Sequence, residues 1–137
     1  MAEEMMDPVK VLVVEDVSVG AKMDELILKK LGCDVSIAST GEAALAQFKT
    51  EKFDLVFMDL GLPDIDGLAV AAAMRNLEGT SRRRTVTPIV ALTGHAGDEF
   101  RKGVVQFGMN DFLPKPLTAE LAEGMLKCYV KKYKPSV

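Results

Sequence analysis

The stretch LVVEDV, Leu12 to Val17, decides how the rest of the chain is read. From Val9 to Val14 the residues are apolar except for Lys10. Such a run alternates too little for a sheet with one wet face, and it reads as a strand covered on both sides. It stops at two adjacent carboxylates, Glu15 and Asp16. Like charges side by side are costly unless a cation lies beside them. A buried strand that ends this way raises two questions: which cation answers the acids, and which other groups come to meet it.

Outward from that strand, Val19, Met23, Leu26, Ile27 and Leu31 recur at helical spacing, and Gly32 is a natural stop. DVSIAS (Asp34 to Ser39) reads as a second strand, and Glu42 to Thr50 as a helix offering Ala43, Leu45, Ala46 and Phe48 for burial. FDLVFMD (Phe53 to Asp59) is a third apolar strand that again ends in an acid. GLPDIDG (Gly61 to Gly67) is turn chemistry. A helix is expected from Leu68 to about Leu77, a polar loop from Glu78 to Thr87, and a fourth strand from Pro88 to Thr93. Phe100, Val104 and Phe107 mark a fourth helix ended by Gly108. DFLPKP (Asp111 to Pro116) is a short fifth strand, and Ala122, Met125, Leu126, Tyr129 and Tyr133 give the last helix one apolar stripe. Strand and helix alternate about five times, which argues for an α/β fold with a parallel sheet and helices on both faces.

The 137 residues are 48% hydrophobic and 27% charged, which suits one globular domain. We expect a single domain over 1–137, with its core over about 9–130 and short tails. A formal net charge of −3 gives no electrostatic reason for nucleic-acid binding. No apolar run approaches the roughly 20 residues that span a bilayer, and the acidic start MAEEMMDP lacks the regions of a signal peptide. Cys33 and Cys128 form no metal-like or redox pair, and two lone thiols fit a reducing compartment. The expected location is the cytosol, or the nucleus if the source is eukaryotic.

In open parallel sheets, ligands bind beyond the carboxyl ends of the strands. Glu15 and Asp16 end the first strand, Asp59 the third and Thr93 the fourth, and Lys115 follows the fifth. Three carboxylates there need a counter-ion, and hard oxygen ligands with room for water suit Mg²⁺. Lys115 adds a second positive charge and Thr93 a hydroxyl. These are the parts of a phosphoryl-transfer site in which a carboxylate attacks phosphorus in line. Asp59 stands alone at its strand end and is the preferred nucleophile; Glu15 and Asp16 are better suited to hold the ion.

VVED at 13–16, DLVFMD at 54–59, Pro63 with Gly67, ALT at 91–93 and PKP at 114–116 together resemble the receiver domain of two-component response regulators. The resemblance runs from about Val9 to Tyr129. It implies a doubly wound, flavodoxin-like sheet of order 2-1-3-4-5. It implies that Asp59 is the phosphoacceptor, Asp16 a direct Mg²⁺ ligand, Glu15 a second acid and the Gly61 carbonyl a main-chain ligand. Thr93 and Lys115 would grip the phosphoryl group, Thr93 and Phe112 would switch together, and the Lys115–Pro116 bond would be cis. The implied function is acceptance of a phosphoryl group from a histidine kinase or a histidine-phosphotransfer protein, with readout through the fourth helix, fifth strand and fifth helix. The domain would not be a conventional enzyme, would take no nucleic acid or membrane as partner, and would most simply be a monomer.

The chain departs from the common pattern in four places: Phe112 replaces the usual tyrosine, Gly61 has no side chain, Gly94 follows Thr93, and the Glu78–Thr87 loop is long. His95 is read either as a group that tunes phosphoaspartate hydrolysis or meets a partner, or as a plain loop histidine. Arg82–Arg84 is read either as a docking patch for an acidic partner or as a solvated loop. With only KKYKPSV after the last helix, we expect a stand-alone regulator or a receiver cut from a hybrid kinase; ALTGHA and GMNDFLPKP resemble the latter more. A non-phosphorylated scaffold is the alternative from another class, which loss of Asp59 or Lys115 would have favoured. A phosphohydrolase with an aspartyl nucleophile would commonly carry an acid where Gly61 stands.

Overall fold

The fold is given by a computed structural model that describes residues 8–16, 18–62, 64–80, 86–94 and 104–135. His95, Arg82–Arg84, Pro63, Phe100 and the side chain of Val19 lie outside the described residues. The strands are β1 (Lys10–Val14), β2 (Asp34–Ala38), β3 (Leu55–Asp59), β4 (Ile89–Thr93) and β5 (Asp111–Pro114), and all pair in parallel in the order β2-β1-β3-β4-β5. The helices are α1 (Ser18–Lys30), α2 (Gly41–Thr50), α3 (Gly67–Thr80) and α5 (Ala119–Tyr129), and we label the helical residues 104–106 α4. None of the described helices is long and apolar enough to cross a membrane.

Because side chains alternate along a strand, each central strand feeds two cores. Val11, Val13, Leu55, Phe57, Val90 and Leu92 meet Leu28 of α1 and Ala122 and Leu126 of α5 on one face. Leu12, Val14, Val56, Met58, Ile89 and Ala91 meet Ala44, Phe48, Val70, Met74 and Val104 on the other. Burial on both faces is why these strands read as unbroken apolar runs.

Some sequence expectations need correction. Among the described side chains of α1, Ala21, Asp24 and Leu28 are buried, whereas Met23 and Leu26 are each 54% exposed. Of the apolar residues expected at helical spacing, Ile27 and Leu31 pack partly buried against the core, and Met23 and Leu26 face solvent. In α2 the buried side chains are Ala44 and Phe48. The third helix continues past Leu77 to Thr80, so residues 78–80, expected in the loop, are helical. Tyr133 lies beyond the end of α5 yet is buried in its core, and its hydroxyl donates to Glu123 Oε2 at 2.6 Å.

Two turns set the geometry near β3. Asp64 accepts from Gly41 N at 2.9 Å and Glu42 N at 3.1 Å, so it caps α2 from a distant loop. Those bonds hold its carboxyl below the usual range. Gly67 starts α3 against the end of β3. A Cβ there would stand 2.5 Å from the Asp59 carbonyl oxygen, so only glycine permits this approach.

Candidate functional site

Parallel pairing brings the carboxyl ends of all strands to one rim. Asp59 closes β3 opposite Leu92 of β4, and Thr93 closes β4 opposite Pro114 of β5. The Lys115 amide donates to the Thr93 carbonyl at 2.9 Å, which fixes the start of the β5–α5 loop beside β4. Glu15 N donates to Ala38 O at 3.0 Å, tying the end of β1 to β2. The Lys115–Pro116 peptide bond is cis, as expected.

Asp59 and Thr93 are buried, at 3% and 4% exposure. Lys115 Nζ is 2.9 Å from Asp59 Oδ1 and 4.0 Å from Glu15 Oε1. Gly61 N also donates to Asp59 Oδ1, at 2.9 Å. Both contacts fall on one oxygen of the carboxylate. Asp16 is exposed, and so is Gly61. Phe112 on β5 is half-buried against the α2–α3 core.

Glu15, the expected second acid, follows β1 and lies between Lys115 and α1. It is 6% exposed, and its carboxylate lies along the flank of α1, facing the equally buried Asp24. Burial, then the facing Asp24, pushes the Glu15 carboxyl up to about 8, while Lys115 opposes the shift. Burial raises Asp24 as well, against its hydrogen bond to Glu15. The facing carboxyls each oppose ionisation of the other, and Glu15 Oε2 has no donor. The pair borders a cavity of about 310 Å³ between α1 and the β5–α5 loop, lined by Glu15, Gly20, Met23, Asp24, Lys115 and Leu117 among others. Asp24 escaped the sequence reading. The available signal was its place between Ala21 and Leu28, at the spacing of a buried helix face.

The donor set fits a hard divalent cation. All the candidate ligands are oxygens, and Glu15 Oε2 is a buried acceptor without a donor. Asp16 and Gly61 are exposed and leave room for water. Among the described residues, no three His, Cys, Asp or Glu side chains are drawn together closely enough to form a cage.

Residues 11–127 match the family model for the response regulator receiver domain. The chain is 39% identical over 119 residues to the sensor histidine kinase GacS of Pseudomonas protegens, covering 86% of this chain and 13% of that protein. It is 34% identical over 121 residues to the transcription factor SKN7 of Saccharomyces cerevisiae, covering 88% of this chain and 18% of that protein. It thus spans less than a fifth of these curated relatives. Among solved structures, it resembles the receiver domain of the sensor histidine kinase PA1611 of Pseudomonas aeruginosa, which holds a magnesium ion in its active-site cleft. That similarity has a TM-score of 0.78 at 31% identity and covers 90% of this chain and 98% of that one. The chain belongs to the response regulator receiver domain family of two-component and phosphorelay signalling.

Proposed function

We propose that this receiver domain takes a phosphoryl group from a phosphohistidine onto Asp59. The donor is a histidine kinase or a histidine-phosphotransfer protein, a reading supported by the kinase relatives. The observation that carries it is the 2.9 Å contact of Lys115 with Oδ1 of a buried Asp59 at the end of β3. The Asp59 carboxylate attacks phosphorus in line. The P–N bond to the donor imidazole breaks, its electron pair returns to the ring nitrogen, and that nitrogen takes a proton. Lys115 and the Thr93 hydroxyl bind the transferred phosphoryl oxygens. Mg²⁺ would be held by Glu15, Asp16, Asp59 and the Gly61 carbonyl, and when bound it supplies positive charge against those oxygens. The domain catalyses only its own phosphorylation and slow dephosphorylation. It acts through protein partners, with no nucleic acid or membrane required, as a monomer in the cytosol or nucleus.

The response is read out on the face formed by α4, β5 and α5. Thr93 leads toward α4, and Lys115 opens the loop into α5, so a phosphoryl group held by both pulls on both connections. The test is direct. Acetyl phosphate or phosphoramidate with Mg²⁺ should add one phosphoryl group by intact mass, labile at alkaline pH, and Asp59→Asn should add none. Phosphate on the Asp59→Asn protein moves the nucleophile elsewhere.

A further inference from the structure

Glu15 follows β1 directly, at the rim where strand ends converge. Yet its carboxylate lies back against α1, where a residue with a side chain would collide with it. A Cβ on Gly20 would stand 2.6 Å from Glu15 Oε1 and 3.2 Å from its Cδ. The missing side chain of Gly20 is the space that Glu15 occupies. One turn further, the buried Asp24 forms the wall that the carboxyl faces. Residues four apart share a helix face, so Gly20 and Asp24 make one niche. Glycine inside a helix costs roughly 1 kcal/mol relative to alanine, so the niche is maintained at the expense of helix stability.

We propose that Gly20 is a positioning residue: with Asp24 it forms a niche that holds Glu15 away from the cation-binding rim. A cation at Asp16 and Asp59 has to draw Glu15 out of the niche before the third carboxylate contributes. The inference rests on the metal reading given under the proposed function. A protein whose binding-competent arrangement is only partly populated binds with an affinity reduced by that fraction. Emptying the niche therefore tightens cation binding without adding or removing an ionisable group.

Gly20→Ala is the probe. The atom that must yield is the end of a flexible side chain, so the variant should fold, and its melting temperature should equal or exceed that of the wild type. Titration with Mg²⁺, followed by the amide shifts of Asp59 and Gly61 in the absence of any phosphoryl donor, should give a midpoint lowered by about three- to tenfold. In the Glu15→Gln background, the same Gly20→Ala change should leave the midpoint where it was, because the effect runs through the Glu15 carboxylate. A wild type that binds, paired with a Gly20→Ala protein whose midpoint is unchanged or raised, overturns the niche alone. An equal gain in the Glu15→Gln background does the same. Absence of Mg²⁺ shifts in every protein overturns the metal reading and the niche with it.

Discussion

Lys115 Nζ stands 2.9 Å from Oδ1 of Asp59, at the meeting of two parallel strand ends. Asp59 is 3% exposed, and the lysine is the nearest described counter-charge to it. Lys115→Met leaves that carboxylate unpaired beside Glu15. We expect a loss of about 1–2 kcal/mol, discounted because the lysine side chain is 31% exposed. Urea unfolding with and without Mg²⁺ measures it. The loss should shrink when Mg²⁺ is added, and an unchanged midpoint in both conditions would show that the contact contributes nothing.

Arg75 ties together three segments at the opposite end of the sheet. Its Nε donates to Gly108 O at 2.7 Å, Nη1 to Glu78 Oε1 at 2.7 Å and Thr87 O at 2.9 Å, and Nη2 to Asn110 Oδ1 at 2.9 Å. Asn110 Oδ1 also accepts from Ile89 N, so the network reaches the start of β4. Arg75→Ala should cost about 3 kcal/mol, since it removes four hydrogen bonds and leaves the shielded Glu78 carboxylate with only the Thr87 amide among the described residues. Arg75→Lys should recover less than half, because an ammonium lacks the planar fork. Equal stability of the Lys variant and wild type would refute the role of that fork.

The two thiols should differ sharply in reactivity. Cys33 is buried and Cys128 exposed. Burial first, and then the Asp54 charge, pushes the Cys33 thiol up to about 11 from 9.0. The folded state therefore keeps a proton there that the unfolded state has lost, so this group's contribution to stability falls as pH rises between those values. At pH 8, an aromatic disulfide reagent should modify one thiol per native chain quickly and the second only on unfolding. Fast reaction of two thiols in the native protein, or of the Cys128→Ser variant, contradicts the buried placement.

The strands were legible because burial on both faces removes any need for a period; an apolar run bounded by polar residues suffices. The rim was legible because parallel strands must end on the same side. The face of α1 was not. Met23 and Leu26 look like core residues and are exposed, while an acid, Asp24, takes a buried place. An amphipathic pattern ranks residues by hydropathy, and here a buried carboxyl pair outweighs that ranking. Tertiary contacts hid the rest: no local signal joins Gly20 to Glu15, or Arg75 to Gly108.

The last expectation concerns transmission. Phe112 lies on β5 opposite Ala91, two residues before the strand end that abuts Thr93. It packs half-buried against the core that contains Val104 and Met109, beside α4. A phenylalanine lacks the hydroxyl through which a tyrosine would form a hydrogen bond at this position, so its response to Thr93 is carried by packing. A phosphoryl group held by Thr93 and Lys115 favours one arrangement of this region only by its differential affinity, and about 1.4 kcal/mol changes the ratio tenfold. Phe112→Ala should accept phosphate at near the wild-type rate, because its side chain supplies none of the proposed phosphoryl-binding groups. It should also weaken the coupling of phosphorylation to partner binding. Amide shifts between the free and beryllofluoride-bound protein report this coupling. In wild type they should extend from Asp59 to Val104, Phe107 and Phe112, and in the variant they should stop near the rim. Shifts confined to the loops around Asp59 in wild type would mean that the α4–β5–α5 face carries no signal.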